Sequence, residues 1–95
     1  MSPKTNEGRQ ALARCQGFLA IGDDGPVGAV ETPLFPPDRD EPDYLVLRVG
    51  SVLRRRRPVV SVALVDDVDP RRGLLYLRGR REEVARLPEQ LPLAI

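Results

Sequence analysis

The chain has no histidine and no tryptophan, and only one cysteine, one methionine and one lysine among its 95 residues. Without histidine, the usual zinc sites and the histidine-based catalytic triads cannot be built from this chain alone. One cysteine cannot form an intramolecular disulfide, so a reducing, cytoplasmic setting is the expectation. No stretch approaches the roughly 18 apolar residues of a membrane span. The first ten residues contain no apolar run, so no signal peptide and no membrane span are expected. Net charge is also nearly absent: 15 basic residues against 14 acidic ones leave +1. That excludes a strongly basic nucleic-acid coat and an acidic tail protein.

Ten prolines and eight glycines are present, and they interrupt the chain often. Short strands joined by turns are therefore favoured over long helices. The size allows one small domain with a thin core. Residues 1–16 read as a flexible N-terminal tail, poor in core material, although Leu12 and Cys15 share one side of a helical turn or two over residues 9–16.

From residue 17 the pattern is strand-like. The run 18–21 is followed by Asp23-Asp24-Gly25, which is turn chemistry, and residues 27–32 read as the return strand of a hairpin. Gly28 marks a bulge or a close backbone approach. Residues 36–43 form a polar, proline-rich loop. Residues 44–49 make a strand with Leu45, Leu47 and Val49 on one face and Tyr44, Val46 and Arg48 on the other. Residues 54–57 read as a charged turn and 59–65 as a strand. Residues 66–73, with three aspartates and a proline, read as a turn or irregular crossing. A strand follows at 74–78. Residues 81–87 make a helical turn or two that Pro88 ends. Leu91, Leu93 and Ile95 leave an apolar end, which suggests packing on the domain or on a second copy in a homodimer. Five or six short strands with little helix predict an all-β fold, a small β-barrel.

The order of these segments resembles a PRC-barrel domain over residues 17–92. Gly25-Pro26-Val27-Gly28-Ala29-Val30-Glu31 is similar to that family's opening hairpin. Residues 44–49 are similar to its central apolar strand, and Arg57-Pro58-Val59-Val60 ahead of Val68-Asp69 to its proline-led strand. Leu75-Tyr76-Leu77 ahead of Glu82-Glu83-Val84 and Leu87-Pro88 is similar to its closing strand and proline-ended turn. The family's aromatic-and-proline segment is degenerate here, and the 36–43 loop and Arg54 to Arg57 are local variation. The resemblance implies a small all-β barrel like those of the photosynthetic reaction-centre H subunit and the C-terminal domain of a ribosome maturation factor. It implies a domain 17–95 that works by protein–protein contact, with no shared catalytic residues and no cofactor.

Two arginine clusters stand out as candidate partner-binding residues. Arg54, Arg55, Arg56 and Arg57 form a run whose planar forks suit carboxylates or phosphates. The plainer reading is a solvated turn. Arg78, Arg80 and Arg81, with Arg71 and Arg72 nearby, form the second cluster. If 59–65 paired with 74–78 as a hairpin, the two clusters would meet at one end. Residues 17–50 carry seven acids against two arginines, so the surface is mixed rather than one basic face.

Tyr44 and Tyr76 lie opposite the core faces of their strands, as a partner surface or as ordinary sheet covering. Asp66, Asp67 and Asp69, or Asp38, Asp40 and Asp43, offer oxygen ligands but match no calcium-loop spacing, and turn chemistry accounts for them. Cys15 reads as a small buried residue, with a redox or interchain role as the alternative. The sequence thus points to a non-enzymatic interaction module, with an RNA- or ribosome-associated protein using the arginine clusters as the second reading.

Overall fold

Alternating burial sets the frame of the molecule, seen in a computed structural model that describes residues 1–92. Six strands form one mixed sheet: β1 (Leu19–Gly22), β2 (Gly25–Leu34), β3 (Tyr44–Arg48), β4 (Val59–Ser61), β5 (Val65–Asp69) and β6 (Leu74–Leu77). Their order across the sheet is β4-β3-β2-β1-β6-β5. All neighbours are antiparallel except β1 and β6, which run parallel with Leu19 beside Leu74. Two short helices, α1 (Asn6–Ala13) and α2 (Arg81–Ala85), complete the fold.

The core forms on one face of these strands. Leu45 and Leu47 of β3, Leu75 and Leu77 of β6, Val60 of β4 and Val30 of β2 are buried, while Tyr44, Val46 and Tyr76 between them are half-buried. This is the two-residue period the sequence predicts for β3 and β6.

Irregularities shape the rest. The Ala20–Gly28 pairing is followed by Ile21 with Pro26, which leaves Val27 as an extra residue. Glu31 is extra between β2 and β3, and Asp66 is extra between β5 and β6. Each such bulge bends its strand and shifts the side-chain parity by one. The shift in β5 lets Val65 and Val68, three apart, both face the core. For this reason residues 66–69 are strand, where their aspartates had suggested a turn or crossing. A Cβ on Gly28 would lie 2.3 Å from the Arg48 carbonyl oxygen, which is the close backbone approach expected there.

The expected strand over 59–65 is also corrected. It breaks after Ser61 into a 3-10 turn, Val62–Leu64, where the Ser61 hydroxyl accepts the Ala63 N–H at 3.2 Å. On one side of the turn β4 pairs with β3, and on the other β5 pairs with β6. The turn thus joins the two ends of the strand order. β4 and β5 share no ladder, so the sheet is not closed.

Residues 1–16, set apart by the sequence as a tail, carry α1. Thr5 caps it, its hydroxyl accepting the Gly8 N–H at 3.0 Å. The helix packs against β5, with Leu12 and then Cys15 buried in the core. Ahead of α1, the Met1 carbonyl accepts the Val68 N–H at 2.9 Å on the outer side of β5. After α2, the Pro88 carbonyl accepts the Val59 N–H at 2.8 Å on the outer side of β4. Leu87 packs on the core and Leu91 is exposed, while Leu93 and Ile95 of the expected apolar end lie outside the described residues. No helix among the described residues is long and apolar enough to cross a membrane.

Candidate functional site

The candidate arginines separate by what their side chains touch. Arg57 enters β4 beside β3, and its Nε lies 2.9 Å from the carboxylate of Glu31, the extra residue of β2. Its backbone N–H donates to the Glu89 carboxylate at 2.8 Å. Arg78, just past β6, lies 3.1 Å from Asp66, the extra residue of β5, and donates to the Ala63 carbonyl. Both bulges therefore turn a carboxylate outward to meet a candidate arginine. Arg80 and Arg81 both lie beside Asp24 in the β1–β2 turn, at 3.9 and 3.6 Å. These four arginines already have acidic partners within the chain.

The β1–β2 turn does more than reverse the chain. Asp23 accepts the Gly79 N–H at 3.1 Å and its own N–H donates to the Gly79 carbonyl at 2.8 Å. Asp24 accepts the Arg81 N–H at 2.7 Å. That bond, with the arginine charges alongside, holds the Asp24 carboxyl below the usual aspartate value. The turn thus clasps the entry to α2.

Arg54, Arg55 and Arg56 differ. All three are exposed, and among the described residues no carboxylate pairs with them. They sit on a turn pinned at its base by two hydrogen bonds between Val49 and Arg56, each 2.8 Å. Gly50 makes the turn with φ +89°, and a Cβ there would lie 2.5 Å from the Arg54 carbonyl oxygen. The 3-10 turn Val52–Arg54 at the apex leaves Leu53 94% exposed. Leu53 was missed in the sequence because one leucine beside four arginines has no alternation to mark it.

The hairpin expected to unite the two clusters does not form. Residues 59–61 pair with β3, and β6 pairs with 65–69 instead. The arginine run nevertheless leaves the end of β3 through Val49, which pairs with Arg56 and lines a cleft with Asp24, Arg80 and Arg81, so these two arginines come near the base of the run by another route.

Tyr44 lines a groove of about 370 Å³ with Val59, Leu64, Leu87, Pro88 and Leu91. Tyr76 stands in β6 opposite Asp67 and beside Ile21. The aspartates are engaged by cations or left apart. Asp66 pairs with Arg78, Asp67 with the Met1 ammonium, Asp69 with Arg72 and Asp43 with Arg39. Asp38 and Asp40 remain exposed on the 36–43 loop. Cys15 is fully buried, and desolvation pushes its thiol up to about 11. No family model matches the chain, and no curated protein matches it.

Proposed function

We propose that this chain is a non-catalytic interaction module with a PRC-barrel-like fold, working in the cytoplasm. The observation that carries the reading is the tip at residues 50–56. It presents one almost fully exposed leucine beside three arginines that pair with no carboxylate among the described residues. An apolar anchor followed by three exposed arginines suits a protein partner with an apolar seat and acidic surroundings. The barrel reading is supported by the Val62–Leu64 turn, which carries the chain from one end of the strand order to the other. The non-catalytic reading is supported by the state of Cys15, whose buried thiol with its raised pKa is a poor nucleophile.

Phosphate-backbone binding to RNA is the second reading, favoured by the same three arginines. The pairing of Arg57, Arg78, Arg80 and Arg81 with Glu31, Asp66 and Asp24 weighs against a broad basic face. The apex also carries leucine, where an RNA surface would use aromatic stacking.

The test is a pull-down from the native host at low and high salt, with mass spectrometry and nucleic-acid detection. The Leu53→Asp variant runs in parallel. A recurrent protein retained by the parent chain at high salt and lost by Leu53→Asp supports the module. RNA that disappears at high salt and is indifferent to Leu53 supports the second reading.

A further inference from the structure

The two ends of the β2–β3 ladder carry opposite features. At one end β3 runs out at Arg48, opposite Ala29, into the basic tip with Leu53. At the other end Leu34 pairs with Tyr44 and the chain between them forms the 35–43 loop. That loop exposes Phe35 (46%) together with Asp38 and Asp40. Its remaining charges are internally matched: Arg39 holds Asp43 at 2.8 Å and Arg9 holds Glu41 at 3.1 Å. Arg14 lines the same cleft as Asp40 without pairing to it. Buried Pro42 and the Asp43 N–H bond to the Leu34 carbonyl, 3.0 Å, fix the loop's base.

Each end therefore offers an exposed apolar side chain and charges of one sign that have no partner among the described residues. Because the two lie at opposite ends of one ladder, a single copy cannot bring them together. A second copy can.

We infer that the basic tip of one molecule docks on the acidic 35–43 loop of the next, Leu53 against Phe35 and Arg54 to Arg56 against Asp38 and Asp40. The inference rests on the reading of the tip as a protein-binding element and names its partner as another copy of this chain. Such a contact is head-to-tail. It uses two different patches, so it closes as a reciprocal antiparallel pair, tip to loop twice over, or repeats into a ring or an open chain. Few charges and two apolar side chains make it a weak contact, sensitive to salt.

The test is sedimentation velocity on the full chain over a wide concentration range, at low salt and at about 0.5 M salt, where exposed charges are strongly screened. The parent chain should gain mass with concentration at low salt and lose that gain at high salt. Two variants separate the ends: Arg54→Glu/Arg55→Glu/Arg56→Glu reverses the tip, and Asp38→Arg/Asp40→Arg reverses the loop. Each alone should remain monomeric while keeping the parent's circular dichroism spectrum, because all its ends then carry one sign. Mixed in equal amounts they should regain the mass, since each reversed end meets its complement. A parent chain that stays monomeric at every concentration overturns the inference. So does a mixture of two folded variants that stays monomeric. If the parent is monomeric yet another protein needs Leu53 to bind, self-docking is wrong and the interaction-module reading stands.

Discussion

Asp24, in the turn between β1 and β2, accepts the backbone N–H of Arg81 at 2.7 Å and so closes the start of α2 from another part of the chain. The arginine N–H has no partner within its own first turn. The carboxylate supplies one and adds a negative charge where the helix end favours it.

That contact gives a stability effect with a defined sign in pH. The Asp24 pKa is lowered in the fold, first by the Arg81 N–H bond and then by the arginine charges. A lowered acid stabilises the fold above its unfolded value, and the contribution disappears as pH falls through the folded value. Asp24→Asn should therefore melt below the parent at neutral pH. The gap should narrow as pH falls below about 3.8. Thermal melts followed by circular dichroism from pH 7 downward measure it, and a gap that does not change with pH would refute the assignment.

Leu12 tests whether α1 is part of the domain. It is 1% exposed and joins the core cluster from the helix side. Leu12→Ala should cost about 2–5 kcal/mol, the range for emptying a buried leucine site. Urea unfolding with a single transition lowered by that amount is the expected result.

Gly28 sets the distance between β2 and β3. A methyl group there would come within 2.3 Å of the Arg48 carbonyl oxygen, so Gly28→Ala must push backbone against backbone. A loss of about 1–3 kcal/mol is expected, typical of overpacking. Hydrogen exchange should locate the loosened bonds at the Arg48 end of β3.

The Cys15 thiol should be silent in the folded protein. Its burial and its pKa of about 11 keep thiolate scarce at pH 8. An aromatic disulfide reagent should label it only as fast as the chain opens. Labelling should accelerate in urea in step with unfolding; immediate reaction in the native state would contradict the burial.

Arg57 and its neighbours should part company in function. The Arg57–Glu31 pair is half-exposed, so Glu31→Gln should cost no more than about 1 kcal/mol. Binding through the tip should survive Glu31→Gln and fail in Arg54→Glu/Arg55→Glu. Equilibrium titration of the captured partner against each variant distinguishes them.

The strands with strict alternation were legible in the sequence. Leu45 and Leu47, and Leu75 and Leu77, announce their faces, and Asp23-Asp24-Gly25 announces its turn. The sequence registered the irregularity at Gly28, beside the extra Val27, but not the bulges at Glu31 and Asp66. Asp66 disguises β5 because an extra residue breaks the two-residue period, and its charge looks like loop chemistry until Arg78 is seen against it. The same holds for the 3-10 turn at Val62–Leu64, where apolar residues continue although the ladder has ended. For the candidate site, the arginines were visible as a run, but their separation into paired and unpaired members depends on carboxylates brought from distant strands. Glu31 lies 26 residues from Arg57, and Asp24 lies 57 from Arg81. Spacing along the chain carries no trace of those meetings.

The two outermost strands each spend one outward N–H on the chain beyond the helices, Val59 on Pro88 and Val68 on Met1. An open strand edge is a template for pairing with another molecule, and these two bonds cover part of each edge. Removing Met1, or the residues after Leu87, would leave the buried side chains in place and free that N–H on the edge strand. The expected consequence is aggregation of a still-folded protein rather than unfolding, so the terminal segments act here as guards against unwanted strand exchange.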